Sequence, residues 1–573
     1  MAKRRTHVVP ALSVVAAGLA LLVAFPTALR PPPDEATTSA EFSPDAPPED
    51  QPEAIIQSLQ QAGSRTAGAS GRAIAEALRA EQSSAPPRST TTTTTAPPRT
   101  AAVRNRCYGD PPRQIESVYS PECTPAFVGD NGGETARGVT ATEIRIAFAP
   151  DLSGAMGGSD CGEIAEARPG ESDARRTYRV LRDWFNQNLE LYGRKLRFYY
   201  ACAADGTSGE EAARSRVVKM RQEYDVFGGI GEFNATIAKE AARNELVYMA
   251  NIVVSGDTFY RNLQPWVWGS RAHSTRAVDM SAEYLCRRLH GNLPFPTGDA
   301  RIDYGSPRTY GILALEDANT AESVAGMEQK MKARCGAEPK VIARYNLDDN
   351  VQGLSTAMTQ LSAARVSTII FMGEILTLPT QAQIADQQNY FPEWYVMGAG
   401  GFETSISLAR SVSPRQWKNA FGFSFEEIPR RPRSTPCYRA YRSLDPERNP
   451  NNSVCEILFH SMLFMFGAMQ DAGPQLTPAR WASSLERAFT RPATPEWSMS
   501  GGFSKTDYTY GDFAVELYWD PTAIHPDGNP GAYVYLNDGI RFLPDDIQTG
   551  QPPMFQGGIT DGDNAGEDNN AFN

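Results

Sequence analysis

Short apolar runs alternate with amphipathic stretches along the chain from residue 138 onward. Runs rich in β-branched and aromatic residues predict strands, and longer stretches with apolar residues three and four positions apart predict helices. The first series predicts strands at 144–148, 196–200, 226–229 and 246–250, and helices at 173–192, 209–223 and 235–243. The second series predicts strands at 310–314, 341–345, 368–371 and 394–397, and helices at 275–289, 321–335, 352–365 and 380–388. Because alternating strands and helices build parallel sheets with helical crossovers, two series predict two α/β lobes.

The pattern after residue 430 differs, with helices predicted first and strands last. Helices are expected at 434–444, 454–472 and 478–488, and two closing strands at 513–519 and 531–536. The stretch 458–469 is rich in Phe and Met, and we expect it to be a buried helix. It is too short to span a membrane, and His460 interrupts it.

Both ends of the chain differ in character from the alternating region. A basic start, Lys3, Arg4 and Arg5, precedes an apolar run at 8–29, so residues 1–30 are either a cleaved signal peptide or a membrane anchor. We favour the anchor, because no small-x-small cleavage site ends the run. Residues 31–102 are rich in Pro, Ser and Thr, and residues 547–573 are polar and acidic, so both segments are expected to be disordered. The first would act as a stalk or as an inert spacer.

Composition and charge exclude some classes of partner. The chain has 573 residues, of which 41% are hydrophobic, and this is enough for a large core. Its net charge is −12, whereas nucleic-acid binding needs clustered Lys and Arg. We therefore expect no nucleic-acid partner.

Eight cysteines point to an exported, oxidising location. Their number is even and no C-x-x-C occurs, so zinc and thioredoxin-like interpretations lack their usual spacing. Free buried thiols are the alternative to disulfides, and the sequence cannot fix the connectivity. We expect sequential pairs: Cys107 with Cys123, Cys161 with Cys202, Cys286 with Cys335, and Cys437 with Cys455. Cys161 and Cys202 would lie just past the ends of adjacent strands. Residues 103–137 would then be a disulfide-held N-terminal extension.

Motifs of catalysis and cofactor binding are absent from the sequence. The chain has no H-E-x-x-H and no G-x-S-x-G, and its histidines are scattered. Gly228, Gly229 and Gly231 do not make a dinucleotide fingerprint, because Asn234 occupies the third glycine position. We therefore expect no enzyme activity, no cofactor and no metal.

Small and polar residues follow several of the predicted strands. Ligands of parallel sheets bind at the carboxyl ends of the strands, so two lobes would hold a ligand between those ends. In the first lobe this rule selects Ser153, Gly154, Glu232, Phe233, Asn234, Val254, Ser255 and Gly256. In the second lobe it selects Glu316, Asp317, Thr320, Glu374 and Gly400. Asn234 has an alternative role as a helix cap, and Glu374 as a solvated loop carboxylate.

Two stretches resemble a known family. The segment 138–154 reads G-V-T-A-T-E-I-R-I-A-F-A-P-D-L-S-G, and 227–250 reads F-G-G-I-G-E-F-N-A-T-I-A-K-E-A-A-R-N-E-L-V-Y-M-A. Both resemble type 1 periplasmic binding proteins of the branched-chain amino acid (Leu/Ile/Val) type. The resemblance implies two Rossmann-like lobes with parallel sheets joined by three crossover segments. It also implies lobe 1 at 138–272 and 424–497, and lobe 2 at 273–423 and 498–546.

The resemblance implies a function as well as a fold. It implies an exported protein that captures a small molecule in the cleft and delivers it to an ABC-type permease. The N-terminal segment adds the expectation of a membrane tether. The alternative is a ligand-sensing or scaffolding ectodomain at the cell surface. Glu232 stands where relatives often have Ser, Gly400 where they have an acidic residue, and Thr320 where an aromatic is expected. These departures leave the ligand open among amino acids, amides and small organic acids.

Overall fold

Two sheets, each flanked by helices, organise the folded part of the chain. The computed structural model describes residues 107–149, 161–231, 234–251, 255–346, 350–373, 377–398, 403, 406–489 and 497–564. The predicted signal or anchor segment, the linker at 31–102 and residues 103–106 lie outside this described part.

The first sheet has six strands in the order β2-β3-β1-β4-β5-β6. Its strands are β1 (Glu143–Ala149), β2 (Gly162–Glu163), β3 (Lys195–Tyr200), β4 (Gly228–Gly231), β5 (Val247–Ala250) and β6 (Val267–Gly269). All neighbours are parallel except β2, which pairs antiparallel with the end of β3. The connecting helices are α1 (Asp173–Asn188), α2 (Gly209–Val218, continued as a π-helix over Lys219–Glu223), α3 (Ala235–Arg243) and α4 (Asp257–Asn262).

The second sheet has seven strands in the order β13-β12-β11-β10-β9-β7-β8. Its strands are β7 (Tyr310–Leu315), β8 (Val341–Tyr345), β9 (Thr368–Met372), β10 (Glu393–Gly398), β11 (Ala420–Ser424), β12 (Val515–Ile524) and β13 (Pro530–Tyr535). Strands β7 to β11 are parallel, whereas β12 and β13 are antiparallel additions. Its helices are α5 (Ser274–Tyr284, continued as a π-helix over Leu285–Leu289), α6 (Ala318–Cys335), α7 (Asn350–Ala363), α8 (Leu378–Gln387), α9 (Ile406–Ser411) and α10 (Pro414–Trp417).

Helices late in the chain return to complete the first lobe. They are α11 (Pro436–Arg442), a π-helix over Val454–Leu458, α12 (Phe459–Ala472) and α13 (Pro478–Ala488). Helix α12 is buried on almost all sides, as its apolar sequence requires. Its Phe466 stacks on Phe198 of β3, with ring centroids 5.4 Å apart. The prediction of a buried helix here is confirmed.

The fold class predicted from the alternating pattern is confirmed. Helix α1 begins where predicted because Ser172 caps it, accepting a hydrogen bond from the Arg175 amide at 3.1 Å. It ends at Asn188, four residues earlier than the apolar spacing indicated. Strands β2, β6 and β11 and helices α4, α9 and α10 were not predicted. The first two are only two and three residues long, too short for a periodic signal.

The N-terminal extension is part of the core. Tyr119 is 1% exposed and lies edge-on to His460 of α12, with ring centroids 4.7 Å apart. Its hydroxyl donates to Glu427 Oε1 at 2.6 Å and accepts from the Met499 amide at 2.7 Å. The extension therefore joins parts of the chain that are more than three hundred residues away from it.

Eight cysteines form four disulfides, and their connectivity is the sequential one expected. The pairs are Cys107–Cys123, Cys161–Cys202, Cys286–Cys335 and Cys437–Cys455. Cys286–Cys335 ties the π-helical end of α5 to the last residue of α6.

The acidic C-terminal segment differs from the expectation of disorder over 547–564. Asp563 accepts from Arg430 Nε at 2.8 Å and from the Ser434 hydroxyl at 2.6 Å. Met554 is buried beside the second sheet. The acidic side chains thus find arginine partners that composition alone did not reveal, and residues 565–573 lie outside the described part.

From the elements and the cores they join, we assign the passages between the two lobes to 270–273, 425–428 and 511–514. Met499, Phe503 and Tyr510 still pack in the core of the first sheet, whereas Ala514 packs with the second. We therefore place the last passage at 511–514, later than the 497/498 boundary that the resemblance implied.

Buried arginines hold these passages together. Arg271 of the first pairs with Glu426 of the second. Arg541 donates to the carbonyl oxygens of Phe425 at 3.4 Å, Glu426 at 2.5 Å and Phe513 at 3.3 Å. A guanidinium can satisfy several carbonyls at once because it carries five N–H donors.

We expect Arg541→Gln to lower the melting temperature by about 3 °C or more, because a buried, charged donor to two passages is lost. Differential scanning calorimetry checks this. The control Arg243→Gln removes a side chain that is 69% exposed, and should shift the transition by less than about 1 °C. Equal melting of the two variants would contradict the assigned role.

Asp512 predicts a pH dependence at the third passage. Burial, helped by the Asp507 carboxylate and opposed by Arg276, raises the pKa of Asp512 from 3.8 to about 6. The folded protein thus holds a proton that the unfolded chain has lost, so this group's contribution to stability falls as pH rises through about 6. We expect Asp512→Asn to have a higher melting temperature than wild type at pH 7. The difference between the two melting temperatures should disappear near pH 4.5. In the control Asp545→Asn, which changes an exposed residue, the difference in melting temperature from wild type should not depend on pH in this way.

Candidate functional site

The loop after β5 is held against the start of the second lobe. The Ser255 carbonyl accepts from the Ser274 amide at 3.0 Å, and the Asp257 amide donates to Thr275 Oγ1 at 3.0 Å. Ser274 and Thr275 begin α5, directly after the first passage. The carboxyl end of β5 therefore lies beside the first helix of the second lobe.

Gly256 allows a close approach at this point. A Cβ atom there would lie 2.8 Å from Thr275 Oγ1 and 3.5 Å from Glu322 Oε1 of α6. Ser323 of α6 donates to the Ser274 hydroxyl at 3.0 Å. Because α6 follows the carboxyl end of β7, residues that follow the strand ends of both sheets meet here, as ligand sites of parallel sheets require.

Two buried polar atoms at the end of β5 lack partners among the described residues. Asn251 and Ser255 are both 0% exposed, and neither Asn251 Oδ1 nor Ser255 Oγ has a hydrogen-bond partner there. The Asn251 side chain is held in place by its other end, which donates to the Ile457 carbonyl at 3.3 Å. Buried polar groups are normally satisfied, so each of these atoms needs an explanation.

The capping interpretation holds for Asn234, and Asp317 is a helix cap as well, which was not predicted. Asn234 Oδ1 accepts from the amides of Thr236 at 2.9 Å and Ile237 at 3.1 Å, which caps α3. Asp317 caps α6 in the same way, accepting from Asn319 and Thr320. Both lie at helix N-termini that follow strand ends, where amide groups favour an anion. Thr320 is buried in the first turn of α6.

The structure brings Ser255 and Gly256 together with the N-terminal half of α6, which is capped by Asp317 and carries Thr320 in its first turn. Glu316 is exposed at the end of β7, and its carboxylate accepts from the Asn346 side-chain amide at 2.9 Å. The remaining predicted site residues lie outside the described residues and stay predictions: Ser153, Gly154, Glu232, Phe233, Val254, Glu374 and Gly400.

Charge around the described site is largely neutralised. Burial first, then the nearby Arg276 and Arg261, lowers the pKa of His273 to about 3, so this histidine is neutral near pH 7. Its Nδ1 accepts from the Arg276 amide and caps α5. The Arg276 guanidinium is paired with Asp507 at 2.6 Å and Asp512 at 2.7 Å. The site therefore offers hydrogen bonds rather than a strong net charge.

Asn251, Thr275 and Glu322 were missed by the sequence reasoning. Asn251 directly follows a predicted strand, and the strand-end rule could have selected it from that position. Thr275 and Glu322 lie on helices, and their approach to Gly256 depends on how the lobes pack, which no local pattern encodes.

The glycines of β4 serve strand packing. A Cβ at Gly228 would lie 2.2 Å from the Val247 carbonyl oxygen, and one at Gly231 would lie 1.6 Å from the Tyr248 hydroxyl. Glycine is thus required here by the neighbouring strand β5, which accounts for the glycine-rich sequence without a phosphate site.

Within the described ranges, no group of three or more His, Cys, Asp and Glu side chains is arranged to hold a metal ion. None of the helices described is long and apolar enough to cross a membrane.

Comparison with known proteins identifies the fold. No family model and no curated protein matches the chain. The structure is similar to a periplasmic binding protein from Burkholderia mallei, with 11% identity and a TM-score of 0.50, over 71% of this chain and 97% of that one. This likeness shows that the chain has the two-lobe fold of periplasmic binding proteins, as the sequence resemblance implied.

Two further similar structures have lower TM-scores. One is a branched-chain amino acid transporter substrate binding protein from Streptococcus pneumoniae in complex with isoleucine, with 12% identity, a TM-score of 0.46, and coverage of 69% and 100%. The other is a leucine binding protein from Thermotoga maritima, with 11% identity, a TM-score of 0.47, and coverage of 70% and 100%.

We expect Ser255→Ala to leave the melting temperature of the ligand-free protein unchanged or slightly raised, because the removed hydroxyl has no partner among the described residues. Ser323→Ala is the matched control, since it removes a buried hydroxyl that donates to Ser274. It should cost about 1 kcal/mol and lower the melting temperature measurably. A larger loss for Ser255→Ala than for Ser323→Ala would show that the Ser255 hydroxyl already has a structural role.

Proposed function

We propose that the protein is an exported solute-binding protein that captures a small polar molecule between its two lobes. The observation that carries this proposal is the pair of unpartnered buried atoms, Ser255 Oγ and Asn251 Oδ1. Asn251 directly follows β5, and Ser255 lies in the loop after it, which approaches α5 and α6. A ligand held between the lobes would satisfy both atoms, and its binding would favour the closed arrangement.

The chemistry of these atoms suggests the ligand class. A carboxamide oxygen only accepts hydrogen bonds, whereas a serine hydroxyl both donates and accepts. A ligand carrying an N–H or O–H donor next to an acceptor would fit, which describes an amino acid, an amide or a small organic acid. The predicted residues outside the described part, Glu232 and Glu374 among them, belong to this proposal as further ligand contacts.

The proposal extends to location and partner. Four disulfides support an oxidising, extracytoplasmic compartment. The N-terminal segment would tether the protein to the membrane, and the closed, loaded form would deliver its solute to an ABC-type permease. In this role the protein itself catalyses no reaction.

A thermal-shift screen of the full chain against amino acids, amides and small organic acids tests the proposal. We expect at least one compound to raise the melting temperature at millimolar concentration, because a ligand that binds only the folded state stabilises it. Titration calorimetry then gives the affinity of that compound.

We expect Ser255→Ala to weaken binding of that compound by about tenfold, because one buried hydrogen bond to the ligand is lost. Ser484→Ala, which removes a buried hydroxyl on α13 that donates to the Arg480 carbonyl, should not change the affinity. No thermal shift with any compound class would contradict a solute-binding role. An unchanged affinity in Ser255→Ala would remove this residue from the site.

A further inference from the structure

An arginine-lined cavity lies on the first lobe, beside the N-terminus of α1. Its volume is about 400 Å³, which falls within the range of small-molecule sites. It is lined by four arginines and one carboxylate, Arg168, Arg176, Arg179, Arg448 and Glu171, together with Ala167, Pro169 and Gly170. Four arginines around one carboxylate are notable in a chain whose net charge is −12.

This cavity is distinct from the site after β5. The helix α1 beside it connects β1 to β3, and Arg175 of that helix donates to the Glu163 carbonyl of β2 at 2.9 Å. In the order β2-β3-β1-β4-β5-β6, β2 is the edge strand opposite β6. The chain leaves for the second lobe after β6, so the cavity lies towards the sheet edge away from that passage.

Two of the arginines are held in fixed orientations by the fold. Arg176 donates through Nε to the Tyr441 hydroxyl at 2.9 Å and pairs through Nη2 with Asp173 at 2.6 Å. Arg179 contacts Glu171 through Nε at 3.3 Å and Nη2 at 2.5 Å. Within the described part of the chain, Nη1 of each guanidinium makes no hydrogen bond, so each retains donors for a ligand. The two residues are three positions apart and share one face of α1.

Arg448 reaches the cavity from a different element. It lies in the loop between α11 and the π-helix at Val454–Leu458, and this loop is fixed to α1 by the Asn451 amide, which donates to Thr177 Oγ1 at 2.8 Å. Arg448 is exposed, and its side chain makes no hydrogen bond or ion pair with any residue that the structure describes. Its charge is therefore available to a ligand.

The acidic side chain of the cavity does not cancel these charges. Glu171 is 7% exposed and is already paired with Arg179 and, at 3.5 Å, with Arg175. Asp173 is likewise paired with Arg176. Arginines around the cavity thus outnumber carboxylates, and Arg448 carries a positive charge that no described carboxylate balances.

We propose that this cavity binds the phosphate group of a phosphorylated small molecule. A phosphate monoester carries up to two negative charges and three acceptor oxygens, which matches several convergent guanidiniums better than a carboxylate does. The lining at 167–170 then accommodates the organic part of the ligand, for which a cavity of this volume leaves room. This site is additional to the solute site between the lobes and does not depend on it.

Titration calorimetry of the full chain with glycerol 3-phosphate tests the proposal. We expect saturable binding, weaker saturable binding of inorganic phosphate, and binding of acetate weaker than that of glycerol 3-phosphate by at least about tenfold. Arg448→Gln should weaken glycerol 3-phosphate binding by about tenfold with an unchanged melting temperature, because Arg448 has no partner in the described fold. Arg243→Gln, at an exposed arginine on α3, is the matched control and should bind like wild type.

Several results would overturn the proposal. They are the absence of saturable binding at millimolar glycerol 3-phosphate, an Arg448→Gln affinity equal to wild type, or acetate binding as tightly as the phosphate ester. Binding to vesicles that contain phosphatidic acid, with none to glycerol 3-phosphate, would overturn the assignment to a soluble ligand. Ser255→Ala should leave the affinity for glycerol 3-phosphate unchanged. A failure of the phosphate proposal can therefore be distinguished from a failure of the proposed solute site between the lobes.

Discussion

The chain crosses between its two lobes three times, and each crossing is largely buried. The rest of the structure depends on satisfying the backbone at these three passages. Each passage brings backbone carbonyls into a buried zone, and an unsatisfied carbonyl there is costly. Arg541 donates hydrogen bonds to backbone carbonyls of both the second and the third passage. The ion pair between Arg271 and Glu426 links the first passage to the second. The passages are therefore coupled to one another rather than independent. A motion of one lobe relative to the other must be accommodated by the zone as a whole.

Both ends of the described chain contribute to this arrangement. Tyr119, from the N-terminal extension, contacts Glu427 at the second passage and Met499 before the third. Asp563, near the other end, binds Arg430 and Ser434 just after the second passage. The periplasmic binding protein fold is thus supplemented here by segments that precede and follow its two sheets.

Local patterns predicted most of the regular elements, because β1, α3 and α13 carry their own periodicity and caps. They did not predict β6 and β2, whose few residues are held mainly by neighbouring strands. Strand-end reasoning selected Ser255 and Gly256 as ligand contacts, and the structure places both beside the first helices of the second lobe. It could not reveal Glu322 opposite Gly256, or Tyr119 against Glu427, since these contacts join residues far apart in sequence. What a sequence omits is therefore the pairing of lobes and extensions, not the elements themselves.

The disulfide between Cys107 and Cys123 has a mechanical consequence. The described chain begins at Cys107, and this bond closes a loop that contains Tyr119. Tension applied from the N-terminal side would pass from Cys107 to Cys123 through the sulfur atoms and leave residues 108–122 unloaded. The contact of Tyr119 with Glu427 is thereby insulated from a pull on the preceding chain. A pull on the preceding chain would therefore enter the fold at Cys123 and bypass the contact between Tyr119 and Glu427.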